Sequence, residues 1–149
     1  VTRKITHSLA RILSGHEKKI HLGDISTRRD WGHSKDYVRA IWLILQHKKA
    51  DDFVISTGKN YSIKDFIIKV FKLINLDWKK FVTINNKKFL RPSEVRSLKG
   101  DSSKARKLLK WKPKYNLDDL CKDMLTSDLK LYGMNLDEAK KIAKKLTNK

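Results

Sequence analysis

With a single cysteine, Cys121, the chain cannot form an internal disulfide. Cys121 sits beside Leu117, Leu120 and Met124 in a helical pattern, which predicts core packing and not a reactive thiol. Long apolar runs are missing too, since no stretch approaches the roughly 20 residues that span a bilayer. The opening Val1-Thr2-Arg3-Lys4-Ile5 lacks the apolar segment of a signal peptide, so a soluble cytoplasmic protein without a membrane partner is expected. No initiator Met is present, and the chain is expected to begin inside a longer polypeptide. All six glycines (15, 23, 32, 58, 100 and 133) stand alone, which excludes the glycine-rich turn that binds a dinucleotide pyrophosphate. His, Cys and Asp do not fall at metal-site spacing, and no local context suggests a Ser-His-Asp set. Taken alone, the chain shows no catalytic, cofactor-binding or metal residues.

Acidic residues are scarce: 16 Asp+Glu face 35 Lys+Arg, for a net charge of +19. Basic chains often bind polyanions, but nucleic-acid modules concentrate their charge on one element. Here lysine is spread over nearly every segment, in pairs such as Lys48-Lys49, Lys79-Lys80, Lys87-Lys88 and Lys140-Lys141. That distribution favours a solvated lysine-rich surface over an anion-attracting face, and nucleic acid is not the expected partner. A length of 149 residues fits one domain or a substantial part of a larger one, and the 40% hydrophobic fraction suffices for a core.

Helices alternate with short strands, which favours an α/β class. Thr2 to Ser14 reads as an amphipathic helix with Ile5, Leu9, Ile12 and Leu13 on one face, closed by Gly15 as a left-handed cap. Ile20-His21-Leu22 is a strand candidate. After the loop from Arg28 to His33, Ser34 is the expected N-cap of a helix from Lys35 to about His47. In that helix Val38, Ile41, Trp42 and Leu45 follow an i, i+3, i+4, i+7 pattern. Phe53-Val54-Ile55-Ser56 has the near-continuous apolar character of a strand buried on both faces of a parallel sheet. Ser62 caps a third helix that buries Ile63, Phe66, Ile67, Val70, Phe71 and Ile74. Phe81 to Ile84 is a weaker strand, followed by a polar turn from Asn85 to Lys88. Asp101 is the expected cap of a short helix through Leu109, ended by Trp111-Lys112-Pro113. Asn116 opens a helix that Gly133 breaks, and Leu136 to Leu146 forms a tail helix within a lysine-rich segment, residues 133–149. Trp31 and Trp42 are expected to pack and not to stack on a base. His33 is expected to order its turn.

Four segments, in order, carry a family resemblance over roughly residues 1 to 131. They are Val1-Thr2-Arg3-Lys4-Ile5-Thr6, then Arg29-Asp30-Trp31-Gly32-His33-Ser34-Lys35-Asp36-Tyr37-Val38, then Asp52-Phe53-Val54-Ile55-Ser56-Thr57-Gly58. The fourth runs from Phe89-Leu90-Arg91-Pro92-Ser93-Glu94-Val95 through Gly100-Asp101 and Ser103-Lys104-Ala105 to Trp111-Lys112-Pro113. Together they resemble the GDP-mannose 4,6-dehydratases, members of the extended short-chain dehydrogenase/reductase superfamily. Only the C-terminal portion is matched. The superfamily's catalytic Tyr is followed four residues later by Lys, whereas Tyr37, Tyr61, Tyr115 and Tyr132 are followed by Ile41, Asp65, Asp119 and Leu136. The stretch before Phe89 is shorter than in many relatives, and residues 133–149 have no placed counterpart.

The resemblance implies the last strand or strands and a helix of the Rossmann sheet, plus the small α/β substrate-binding domain, over residues 1–132. It further implies that the complete enzyme converts GDP-mannose to GDP-4-keto-6-deoxymannose with NADP, is a homo-oligomer, and keeps its cofactor and catalytic groups in a missing N-terminal half. The present half then binds the GDP-sugar through Lys4, Arg29, Arg91 and Glu94 and is inactive alone. A related GDP-manno-heptose is an alternative substrate, and a basic polyanion-binding module on the same scaffold is an alternative function. The residue chemistry is compatible with GDP. A diphosphate suits planar, permanently charged guanidinium forks, and Pro92 restricts Arg91 to extended geometry. Glu94 can accept from guanine N1–H and its exocyclic amine, an edge that adenine lacks. The plainer alternatives are pairing of Arg29 with Asp30 or Asp36, an Arg91–Glu94 surface pair, and a solvated Lys4.

Overall fold

Four helices enclose the larger of two apolar cores. The computed structural model describes residues 1–84 and 95–147. Helix α1 (Thr2–Leu13) lays Ile5, Leu9, Ile12 and Leu13 inward, and Gly15 takes φ +79° just past its end. Helix α3 (Ile63–Lys72) buries Phe66, Ile67, Val70 and Phe71 and starts at a capping box. In it the Ser62 hydroxyl accepts from Asp65 N, and Ser62 N donates back to the Asp65 carboxylate. Helix α5 (Leu117–Lys130) opens on a second capping box, Asn116 with Asp119. After Gly133 at φ +67°, α6 (Leu136–Thr147) packs Ala139 and Ala143 into the same core as α1 and α5. Cys121 is fully buried there, and burial pushes its thiol up to about 12.

The strands are short. β1 (Ile20–His21) pairs in parallel with β4 (Val82–Thr83), with Ile20 opposite Val82 and His21 opposite Thr83. β2 (Arg28–Arg29) pairs antiparallel with β3 (Tyr61–Ser62), and Arg28 forms a further parallel bridge to Ser97. A 3-10 turn at Trp78–Lys80 leads into β4.

A smaller core joins α2 (Ser34–Leu45) and α4 (Ser103–Leu108) around the buried residues Ala40, Ala105, Leu109 and Trp111. Trp111 Nε1 donates to the Asp36 carbonyl at 3.0 Å. The buried Asp36 carboxylate accepts from Lys114 N and Tyr115 N, each at 2.9 Å. One aspartate therefore fastens the stretch after α4 onto the start of α2.

Four expectations are corrected. The cap of α2 is His33, whose Nδ1 accepts from Lys35 N at 3.2 Å, and Ser34 is the first helical residue. Ser102, not Asp101, occupies the cap position of α4; Asp101 lies one residue further out and accepts from Ser103 N at 2.8 Å. Residues 53–56 form no strand: a buried parallel strand needs neighbours, and among the described residues none pairs with them. Phe53 and Ile55 pack instead on the smaller core, while Val54 is 57% exposed. The α2 stripe is also uncovered: Val38 is 65% exposed, Ile41 57%, Trp42 59% and Leu45 75%. Trp42 is thus mostly exposed, whereas Trp31 meets Phe66 with ring centroids 5.5 Å apart, as expected. The opposite side of α2, with Tyr37, Ala40, Leu43 and Ile44, faces the smaller core. A helix apolar on both sides is one built to be enclosed.

Candidate functional site

β2 and the turn after it are held from several sides. Arg28 Nη2 donates to Asn60 O at 2.9 Å, and Asn60 Nδ2 donates to Ser97 Oγ at 2.7 Å. Arg29 Nη1 donates to Val95 O at 2.7 Å and to Arg28 O at 2.8 Å. Asp30 directs its carboxylate at Thr57, Gly58 and Gly100. At Gly32 an added Cβ would fall 2.3–2.5 Å from the Tyr37 ring, so that ring requires glycine beneath it. With His33 Nδ1 accepting, its Nε2 carries the proton and meets Asp123 Oδ2 at 3.1 Å. The His33 ring stacks on Tyr115 at 4.4 Å. Lys35, donating to Asp123, holds that carboxyl below its ordinary range, and His33 adds to the effect.

Lys4 projects from the first turn of α1 and donates from Nζ to the His21 carbonyl of β1 at 2.6 Å. His21 is opposite Thr83 in the β1–β4 pair. The chain leaves the described residues at Ile84, next to that pair, and re-enters at Val95, on the Arg29 guanidinium. Arg91 and Glu94, together with Pro92 and the Asn85-to-Lys88 turn, lie outside the described residues. Of the four expected site residues, Lys4 and Arg29 are therefore fixed at the two places where the segment bearing the other pair departs and returns. In the sequence, Asp30 and Asp36 stand out only as possible partners of Arg29. The structure shows both bonded to backbone amides, and the carboxylate–amide pairing, which spans 27 to 79 residues, leaves no trace in local sequence.

Among the described residues, no group of His, Cys, Asp and Glu could hold a metal ion. No helix among them is long and apolar enough to cross a membrane. The glycines with positive φ, at 15, 58 and 133, sit at three separate turns. Among the described residues they build no phosphate-cradling loop.

A profile of the GDP-mannose 4,6-dehydratase family matches residues 1–124. The chain is 47% identical over 131 residues to GDP-mannose 4,6 dehydratase 1 of Arabidopsis thaliana, covering 88% of this chain and 36% of that protein. It is 40% identical to the Homo sapiens GDP-mannose 4,6 dehydratase, covering 91% of this chain and 41% of the relative. The Vibrio cholerae enzyme is 38% identical, covering 88% and 42%. The chain thus spans about two fifths of the curated relatives it matches. Among solved structures, RMD from Pseudomonas aeruginosa in complex with NADPH superposes with a TM-score of 0.77 at 17% identity, covering 87% of this chain and 42% of that one. The dTDP-glucose 4,6-dehydratase from Bacillus anthracis with NAD gives 0.68 at 19%, covering 87% and 40%. These likenesses show the fold alone: α/β, of the kind shared by part of those dehydratase and reductase chains.

Proposed function

The chain belongs to the GDP-mannose 4,6-dehydratase family, and we propose that it is the GDP-sugar-binding portion of such an enzyme. In the complete enzyme NADP carries the hydride, and GDP-mannose becomes GDP-4-keto-6-deoxymannose. The cofactor site and catalytic groups belong to a portion outside this chain, which is inactive alone. Lys4, Arg29, Arg91 and Glu94 form the binding set, with the arginines on the diphosphate and Glu94 on the guanine edge. The observation that carries this reading is the pair of anchors: Lys4 is tied to β1 beside the exit at Ile84, and Arg29 to Val95, the residue after Glu94.

The exposed α2 stripe supports a covering partner. Each such apolar side chain left in water forgoes part of the roughly 1.5–3 kcal/mol that full burial contributes. The N-terminal portion, fused or supplied as a complementary chain, encloses Val38, Ile41, Trp42 and Leu45, and the complete enzyme assembles as a homo-oligomer in the cytoplasm.

Glu94→Gln tests the base assignment. It places an amide NH₂ against a guanine donor, and about 1–3 kcal/mol of GDP preference is expected to disappear. Unchanged GDP-over-ADP selectivity in calorimetric titrations would refute the role of Glu94.

A further inference from the structure

Asp30 joins three stretches of chain that lie far apart in sequence. Its Oδ1 accepts from Thr57 N at 3.0 Å and from Thr57 Oγ1 at 2.5 Å. Its Oδ2 accepts from Gly58 N at 2.9 Å and from Gly100 N at 3.4 Å. Both glycines suit this close approach: Gly58 has φ +76°, and a Cβ on Gly100 would lie 2.4 Å from Ser56 Cβ. Arg106 reinforces the junction, donating to Thr57 O at 3.0 Å and Ser102 Oγ at 3.1 Å. One residue earlier on β2, Arg29 holds Val95 O, and the Arg28 backbone bonds Arg96 O and Leu98 N. Residues 95–100 are therefore fastened at one end by Arg28 and Arg29 and at the other by Asp30.

We propose that Asp30 is a positioning residue for nucleotide binding. Its carboxylate fixes the Arg29 backbone relative to residues 95–100, so the clamp sets the guanidinium that Val95 O also holds. The inference rests on the GDP reading above. An ionised carboxylate is acceptor-only and suits four donors, whereas an asparagine at the same place turns an NH₂ toward two of them. Thr57, Gly58 and Gly100 lie in neither apolar core, so the clamp is separable from the packing that holds the fold.

The test is titration of GDP and ADP into the full chain carrying Asp30→Asn, Arg29→Ala or both, alongside thermal melts. Asp30→Asn is expected to weaken GDP about tenfold, as for the loss of one charge-assisted contact. The double variant is expected to lose less than the sum of the single losses, because one side chain acts through the other. Thr57→Val removes a single donor and serves if Asp30→Asn fails to fold; it should move GDP affinity in the same direction by about threefold. Unchanged GDP affinity in the folded variant, or additive losses in the double variant, would overturn the assignment. A wild-type chain that does not prefer GDP to ADP would overturn the GDP reading itself, and this inference with it.

Discussion

Gly32 shows how tightly the turn after β2 is built. Its missing side chain leaves room for the Tyr37 ring, which in turn packs against Ala40 and Trp111. Gly32→Ala must displace that ring, and about 1–3 kcal/mol of destabilisation is expected from overpacking; an unshifted urea midpoint would contradict it. The buried Asp36 is comparably exacting, since Asp36→Ala removes the acceptor of Lys114 N and Tyr115 N, at about 1 kcal/mol for each part-buried hydrogen bond lost. Asp123 sets a pH dependence. Its carboxyl is depressed by Lys35 and then His33, so its contribution is present above the ordinary aspartate value of about 3.9 and fades as pH falls through the lower folded value. Asp123→Asn is expected to flatten the acid limb of a stability-versus-pH curve below about pH 4. An identical limb in the variant would disprove the linkage.

At the scale of elements, legibility followed how local the determinants were. Ser62 and Asn116 were readable as caps because their partners, Asp65 and Asp119, lie three residues away. Ser62→Ala is expected to cost about 1 kcal/mol, read from chemical denaturation. The α2 cap was misassigned because a histidine with an accepting Nδ1 does what a serine commonly does, and tautomer is set by the tertiary partner Asp123. The periodicity of α2 marked the helix but not its buried side, since Trp42 and Leu45 are 59% and 75% exposed. Residues 53–56 likewise have an apolar run that fits a central strand, but join no ladder among the described residues. The clamp made by Asp30 was not legible, since its donors lie 27 to 70 residues away.

For the whole molecule, the +19 charge and the uncovered α2 face set behaviour in solution. Non-specific attraction to polyanions weakens steeply with added salt, while a hydrogen-bonded guanine edge discriminates against adenine at any ionic strength. The α2 face is expected to bind a hydrophobic dye, and joining the chain to an N-terminal portion of a relative should abolish that signal; persistent dye binding in the joined protein would count against enclosure. The most direct measurement is a titration of the full chain with GDP, ADP and a short oligonucleotide at low and high salt. The expected result is GDP bound more tightly than ADP by a ratio that survives salt, with oligonucleotide binding lost. Equal affinity for the two nucleotides, or oligonucleotide binding that dominates both, would contradict a guanine-nucleotide site in this chain.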